Sequence, residues 1–282
     1  MEKIKKIFVA IDFSVTSRNA FCYAKALAKT LDASLTMIHV KVDLMVVSDV
    51  MILPNPSEDN SQLIDDLKQI ISEEEGIVFN KLAPKQEIKI KLLRGNPESV
   101  LVELSKSDET DLIVMGSTGL SDVLTKIFGS TSHNVSNQAH CPVILVPRGV
   151  KWEPIEQMVF ASNFDSMAPE LVHHITDFAS SVSADIHFVN VKSFDPVFEI
   201  KEKDVDWNAL MTNHSDLYFE KHTIYGNDTV EELKLYSEEK NIDLIAFVSK
   251  HRNFWQSLAH KSVTENMVLS VNTPIMVIHL DD

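Results

Sequence analysis

Short apolar runs recur along the first 147 residues, separated by segments of helical length. Ile7-Phe8-Val9-Ala10-Ile11, Ser34 to Val40, the alternating Glu87 to Leu92, Asp111 to Met115, and Pro142 to Pro147 each have the length and apolar content of a strand. After the first run, Ala20, Ala24, Leu27 and Leu31 recur at helical spacing behind Ser14 and Thr16, either of which can cap a helix. Residues 41–57 read as a loop carrying Pro54 and Pro56, and a helical segment follows from about Ser61 to Glu75. Gly95-Asn96-Pro97 breaks the third strand and opens a helix through Leu104. Strands alternating with helices predict an α/β fold with a parallel sheet covered on both faces.

The pattern then repeats. Met158 to Ser162 answers the first strand, 170–180 the first helix, and Ala184 to Val191 the second strand. Tyr225-Gly226-Asn227 answers Arg94-Gly95-Asn96, Ile242 to Ala246 the fourth strand, and Thr273 to Ile278 the stretch beginning Cys141-Pro142. A period of about 140 residues is far longer than a solenoid unit, so the expectation is a tandem duplication with its boundary near Arg148 to Trp152. Two domains, 1–149 and 150–282, also suit a length of 282 residues.

Composition narrows the partners. A hydrophobic content of 44% is enough for ordinary globular cores. A net charge of −15 argues against nonspecific binding to nucleic acid, which needs clustered Lys and Arg. Glu73-Glu74-Glu75 reads as a solvated helix face. No stretch approaches the ~20 apolar residues of a membrane span, and Met1 to Lys6 has no signal-peptide pattern. Cys22 and Cys141 make no disulfide framework. The expected location is the cytoplasm, with no membrane partner.

Candidate chemistry gathers at Met115-Gly116-Ser117-Thr118-Gly119, with nine residues between Gly119 and Gly129-Ser130-Thr131. Glycine arrives where the fourth strand should end, and Ser130, Thr131 and Ser132 suit the start of a new helix. A strand, a glycine turn and a helix N-terminus build an anion site, because free N–H groups and the helix dipole both favour negative charge. Tight turns alone would also ask for glycine. The loop is neither a Gly-Lys-Ser/Thr phosphate loop nor a Gly-x-Gly-x-x-Gly dinucleotide fingerprint.

Val9-Ala10-Ile11-Asp12-Phe13-Ser14, Ile38-His39-Val40, Gly95-Asn96-Pro97 and Gly-x2-Gly-x9-Gly-Ser at 116–130 together resemble the universal stress protein family, and the whole chain resembles its tandem two-domain members. The resemblance implies two doubly wound, five-stranded parallel sheets of the adenine-nucleotide alpha-hydrolase-like type, strand order 3-2-1-4-5. It implies ATP across the carboxyl ends of the strands, with Mg²⁺ or Mn²⁺. At matching positions Ala10, Ile11 and Asp12 close the first strand, and Asp12 meets the ribose. Val40, closing the second strand, holds adenine through its backbone. Met115 and Gly116 lie under the ribose, and Gly119, Gly129, Ser130, Thr131 and the adjoining Ser132 receive the phosphates. The residue types agree: a carboxylate accepts from ribose hydroxyls, and glycines let backbone approach phosphate.

The second half departs from the pattern. Of seven glycines only Gly226 lies beyond residue 149. Asn163 stands for Asp12, Val248 for Gly116, His251 for Gly119, and Lys261, within a residue, for Gly129. Those side chains fill the space phosphates need, so one ATP per chain is expected, in the first domain.

Eight of eleven histidines follow residue 150. His173 with His187, His222 or His251 could meet on a metal, but core or surface packing is the ordinary reading and no metal ligand is assigned. His140-Cys141 reads as packing. No Gly-x-Ser-x-Gly elbow or Ser-Gly-Gly-x-Asp-Ser loop is present, so no catalytic residue is assigned and at most slow ATP hydrolysis is expected.

The leading reading is an ATP-binding stress-response regulator acting through an unnamed protein partner. A slow ATPase or phosphotransferase, and an interaction module without nucleotide, are the alternatives. The resemblance also implies that the domains pack face to face through their fifth strands, Val143 to Val146 and Ile275 to Ile278. The chain would then be its own pseudo-dimer, with homodimerisation open. Residues 41–60 and 193–214, with Trp207, differ most between halves and are candidate partner surfaces.

Overall fold

The computed structural model describes residues 3–42, 60–77, 87–117, 129–161, 169–192, 217–249 and 272–279. The first half contributes β1 (Lys6–Ala10), α1 (Val15–Leu31), β2 (Ser34–Lys41), α2 (Ser61–Ile77), β3 (Ile88–Arg94), α3 (Pro97–Leu104), β4 (Leu112–Gly116), α4 (Ser130–Gln138) and β5 (Val143–Val146). The second contributes β6 (Gln157–Ala161), α5 (Pro169–Val182), β7 (Asp185–Lys192), β8 (Phe219–Tyr225), α6 (Thr229–Lys240), β9 (Leu244–Ser249) and β10 (Ile275–His279).

Local chemistry sets the helix ends. Ser14 caps α1 by accepting from Ser17 N–H, and the helix stops at Asp32 in the left-handed conformation. Asn96 caps α3 with Pro97 in its first turn, and Asp228 caps α6. The strand starts are pinned twice by one device. Asp111 Oδ2 accepts from the backbone N–H groups of Lys5 at 2.7 Å and Lys6 at 2.9 Å. Asp243 Oδ2 accepts from Glu156 and Gln157, both at 2.9 Å.

The strands form one sheet in the order β3-β2-β1-β4-β5-β10-β9-β6-β7-β8. Each half has the expected order 3-2-1-4-5 and is parallel throughout. The halves meet differently from the face-to-face packing expected. β5 and β10 pair edge to edge and antiparallel, with Leu145 opposite Ile275, Ile144 opposite Met276, and Val143 opposite Val277. Left alone, each strand would offer a row of unpaired backbone groups flanked by apolar side chains; pairing removes both edges. Val143, Ile144, Leu145, Met276 and Val277 are wholly buried as a result.

Alternate residues of each strand face opposite layers. Ile7 and Val9 point into a core under α1 and α2 that continues without a break to Phe160, Phe178 and Met276 in the second half. Phe8 points to the other face, with Leu101, Met115 and Val135 beneath α3 and α4. The connecting segment is fastened to α1: Asn19 donates to the carbonyls of Pro147 at 3.1 Å and Val150 at 2.7 Å.

Candidate functional site

The site begins where β1 ends. Ile11 N–H makes one more bond, to Ile38 O at 2.8 Å, and the chain then leaves the sheet. Asp12 Oδ1 accepts from Ser14 N–H at 3.0 Å, and Asp12 N–H donates to Ser17 Oγ at 3.3 Å. Phe13 sits at φ 65°, a conformation costly for a bulky residue. It is held there beside His39, ring centroids 4.8 Å apart. His39 Nδ1 donates to Ile11 O at 2.7 Å, tying this turn to β2.

The second wall is the end of β4. Ser117 N–H donates to Val146 O at 3.0 Å, and Ser117 O accepts from Gly129 N–H at 2.7 Å. The Ser132 hydroxyl lies 2.7 Å from Ser117 O and 3.0 Å from Gly129 O, so it is turned inward. Gly129, not one of the three hydroxyl residues, is the N-cap of α4, and among the described residues no side chain caps the helix. Its φ of −67° is open to any residue, so conformational freedom is not what glycine supplies there. Ser130, Thr131 and Ser132 therefore form the first helical turn, whose N–H groups have no partner within the helix.

Gly116 joins the two walls. A Cβ there would stand 2.9 Å from Thr16 Cγ2, 3.0 Å from the Thr16 carbonyl carbon and 3.1 Å from Ser17 N. Glycine is what lets the first turn of α1 lie against β4.

Ala10, Ile11, Asp12, Val40, Met115, Gly116, Gly129, Ser130, Thr131 and Ser132 are thus brought to one carboxyl edge, spanning β2, β1 and β4. Gly119 lies outside the described residues. β2 does not close at Val40: it runs on to Lys41, paired with Arg94. β1 pairs with β2 only as far as Ala10 and Ile38, so Val40 lies past the end of β1. Ile11 and Met115 are buried in opposite layers, which leaves mainly their backbone to the edge.

In the second half the register makes Val248 the counterpart of Gly116, since Val248 stands opposite Ile278 as Gly116 stands opposite Val146. Val248 packs against the core. Asn163, His251 and Lys261 lie outside the described residues, as do 43–59 and all of 193–214 of the candidate partner surfaces.

A separate polar cluster lies under α6. His187 Nδ1 is 2.8 Å from Tyr236 Oη and His187 Nε2 is 2.8 Å from Gln157 Oε1. His222 Nε2 is 2.7 Å from Glu220 Oε2, and Tyr218 donates to Glu220 Oε1 at 3.0 Å. Burial holds the His187 imidazole below its usual range. The hydrogen bond from His222, then that from Tyr218, keeps the Glu220 carboxyl below its own. Of the histidines singled out above, His187 and His222 meet; His251 lies outside the described residues. Glu220 and Tyr236 were missed, although Glu-x-His on one strand face was a legible signal.

A cavity of about 530 Å³ lies between the halves, and none of the site residues named above lines it; Tyr23, Arg148, Lys151 and Asp243 do. Among the described residues the Tyr23 hydroxyl there has no hydrogen-bond partner. No helix of the described residues is long and apolar enough to cross a membrane.

Comparison with known proteins gives a consistent result. The model of the universal stress protein family matches residues 3–147 and again 154–279. A universal stress protein of Methanocaldococcus jannaschii is 35% identical over 149 residues, 52% of this chain and 84% of that protein. A universal stress protein of Bacillus subtilis is 28% identical over 150 residues, 50% of this chain and 97% of that protein. The crystal structure of a universal stress protein from Archaeoglobus fulgidus covers 98% of this chain and 97% of its own, with a TM-score of 0.65 at 17% identity. At that identity the likeness concerns the fold.

Proposed function

This chain belongs to the universal stress protein family, and on that premise we propose that residues 1–149 are a domain binding one adenine nucleotide, ATP with Mg²⁺. Residues 150–282 are a second domain without nucleotide, serving structure and interaction. The protein acts as a regulator in stress response: occupancy of the first domain biases a conformation or a partner surface.

One observation carries the reading. The first turn of α4, which no side chain caps among the described residues, is tied through Ser117 to the end of β4, beside the Asp12 turn. This is the point where β2 and β4 leave β1 in opposite directions, the usual ligand crevice of an open α/β sheet.

The residues present fit a nucleotide. The N–H groups of Ser130 to Ser132 suit phosphate oxygens, and the Asp12 carboxylate suits ribose hydroxyls. Val40, past the end of β1, has backbone suited to the base. Mg²⁺ would ride on the phosphates and retain waters. The second domain has Val248 where Gly116 permits close approach of a helix.

Calorimetric titration of Mg-ATP into the intact chain and into Asp12→Asn tests this. Asparagine keeps an Oδ1 acceptor for Ser14 N–H, so the turn survives while charge is lost. One site, weakened at least about tenfold by the substitution, a loss of roughly 1.4 kcal/mol, supports the proposal. No binding at millimolar ATP overturns it.

A further inference from the structure

We propose that His187, Glu220 and His222 form a binding site for a divalent transition-metal ion, with Zn²⁺ the best match. The site is on the α6 face of the sheet in the second half. Two imidazoles and one carboxylate are a donor set for zinc with a fourth position open. Their candidate ligand atoms all lie within 4.8 Å of one another. Zn–N bonds of about 2.0–2.1 Å set ligands roughly 3.3 Å apart around a tetrahedral ion, so a small closure by side-chain rotation completes the set. The two histidine rings are already nearly parallel, 5.7 Å apart at an interplanar angle of 20°.

The sheet register explains the convergence. His187 stands opposite Glu220, and Val189 opposite His222, so the three side chains share one face of neighbouring strands. His187 is 6% exposed and fixed. Glu220 and His222 are half-buried and have room to turn. The supporting contacts are those of a metal histidine. The amide oxygen of Gln157 takes the Nε2 proton of His187 and leaves the Nδ1 lone pair beside Tyr236. That lone pair now accepts from the Tyr236 hydroxyl, which an ion would replace.

The duplicated fold supplies an internal control. Leu35 stands opposite Ile88 in the first half as Ile186 stands opposite Phe219 in the second. The register places Thr36, Lys89 and Lys91 where the second half has His187, Glu220 and His222. The fold therefore does not require these residues, and the first half, with two lysines, could not hold a cation there. Metal binding at this face is independent of nucleotide at the carboxyl edge of the first half.

The test is titration of Zn²⁺ into the intact chain, stripped with chelator and free of nucleotide. Co²⁺ serves as the spectroscopic probe of coordination. The expected result is one ion per chain, with affinity lowered on the order of 100-fold or more in His222→Ala and in Glu220→Gln. His140→Ala, at an exposed position, leaves binding unchanged. X-ray absorption of the zinc-loaded wild-type chain should count two imidazole ligands, a readout that does not depend on any variant folding. No binding at about 100 µM Zn²⁺, a dissociation constant far weaker than zinc sites show, overturns the proposal. So does binding unaffected by both site substitutions, or fewer than two imidazoles in the absorption spectrum.

Discussion

Gly116 and Thr16 are in such close contact that no side chain fits between them: a Cβ on Gly116 would lie 2.9 Å from Thr16 Cγ2. The obstruction is not only a methyl group that could rotate away. The Thr16 carbonyl carbon and Ser17 N follow at 3.0 and 3.1 Å. Gly116→Ala should therefore cost about 1–3 kcal/mol, as overpacking does. Adding Thr16→Ala should recover only a small part, because the backbone contacts remain. Urea unfolding of the single and double variants measures both; full recovery in the double variant would contradict the backbone argument.

Gly95 and Gly226 follow β3 and β8, and each donates its N–H to the last residue of the neighbouring strand, Lys41 O at 3.0 Å and Lys192 O at 2.9 Å. Their backbones differ. Gly95 is at φ 131°, where an L side chain is strained, whereas Gly226 has no positive φ. A Cβ on Gly226 would meet the side chain of Glu232, which can swing aside. Gly95→Ala should cost about 1–3 kcal/mol and Gly226→Ala about 0.5 kcal/mol or less. Equal losses in chemical denaturation would refute the distinction.

Cys141 is 7% exposed, and burial, aided by the Asp111 carboxylate, pushes its thiol up to about 12. At pH 8 almost none of it is thiolate, the reactive form. Iodoacetamide should label Cys22, half-buried on α1, before Cys141. Cys141 should react only after urea unfolds the chain. Peptide mass spectrometry reads the order, and early labelling of Cys141 would count against its burial.

The β5–β10 junction joins the halves through wholly buried residues such as Ile144 and Met276. Cores on both faces run across it. Heating should give a single cooperative calorimetric transition, with calorimetric and van't Hoff enthalpies in agreement. Two separated peaks would mean that each half holds its core alone.

Ser132 links the first turn of α4 to β4 through Ser117 O. Ser132→Ala removes that bond but leaves Ser117 O with Gly129 N–H. The expected loss is about 1 kcal/mol, with Mg-ATP affinity reduced by the looser turn. A variant with lower stability and unchanged affinity would separate the clip from the proposed site.

The sequence by itself determined the elements and their duplication, and the strand order of each half was what its resemblance to the universal stress protein family implied. Period-two and helical spacing are local properties, and apolar runs such as Leu112 to Met115 have few ways to be buried. It also brought forward the glycine turn and the start of α4, because glycines and an N-terminal helix turn leave marks in the chain, while Asp12 and Val40 entered through the resemblance. Only the tertiary structure decided how those residues work. Gly129 is the cap and Ser132 a clip, and Gly116 is small for the sake of α1; each depends on a neighbour distant in sequence. The edge-to-edge joining of β5 and β10 was likewise decided in three dimensions, since an apolar strand reads the same whether its partner covers its face or pairs along its edge. The same holds for His187, Glu220 and His222. Their types were visible, but the distance between them is set by the register of β7 against β8, and no spacing along the chain encodes it.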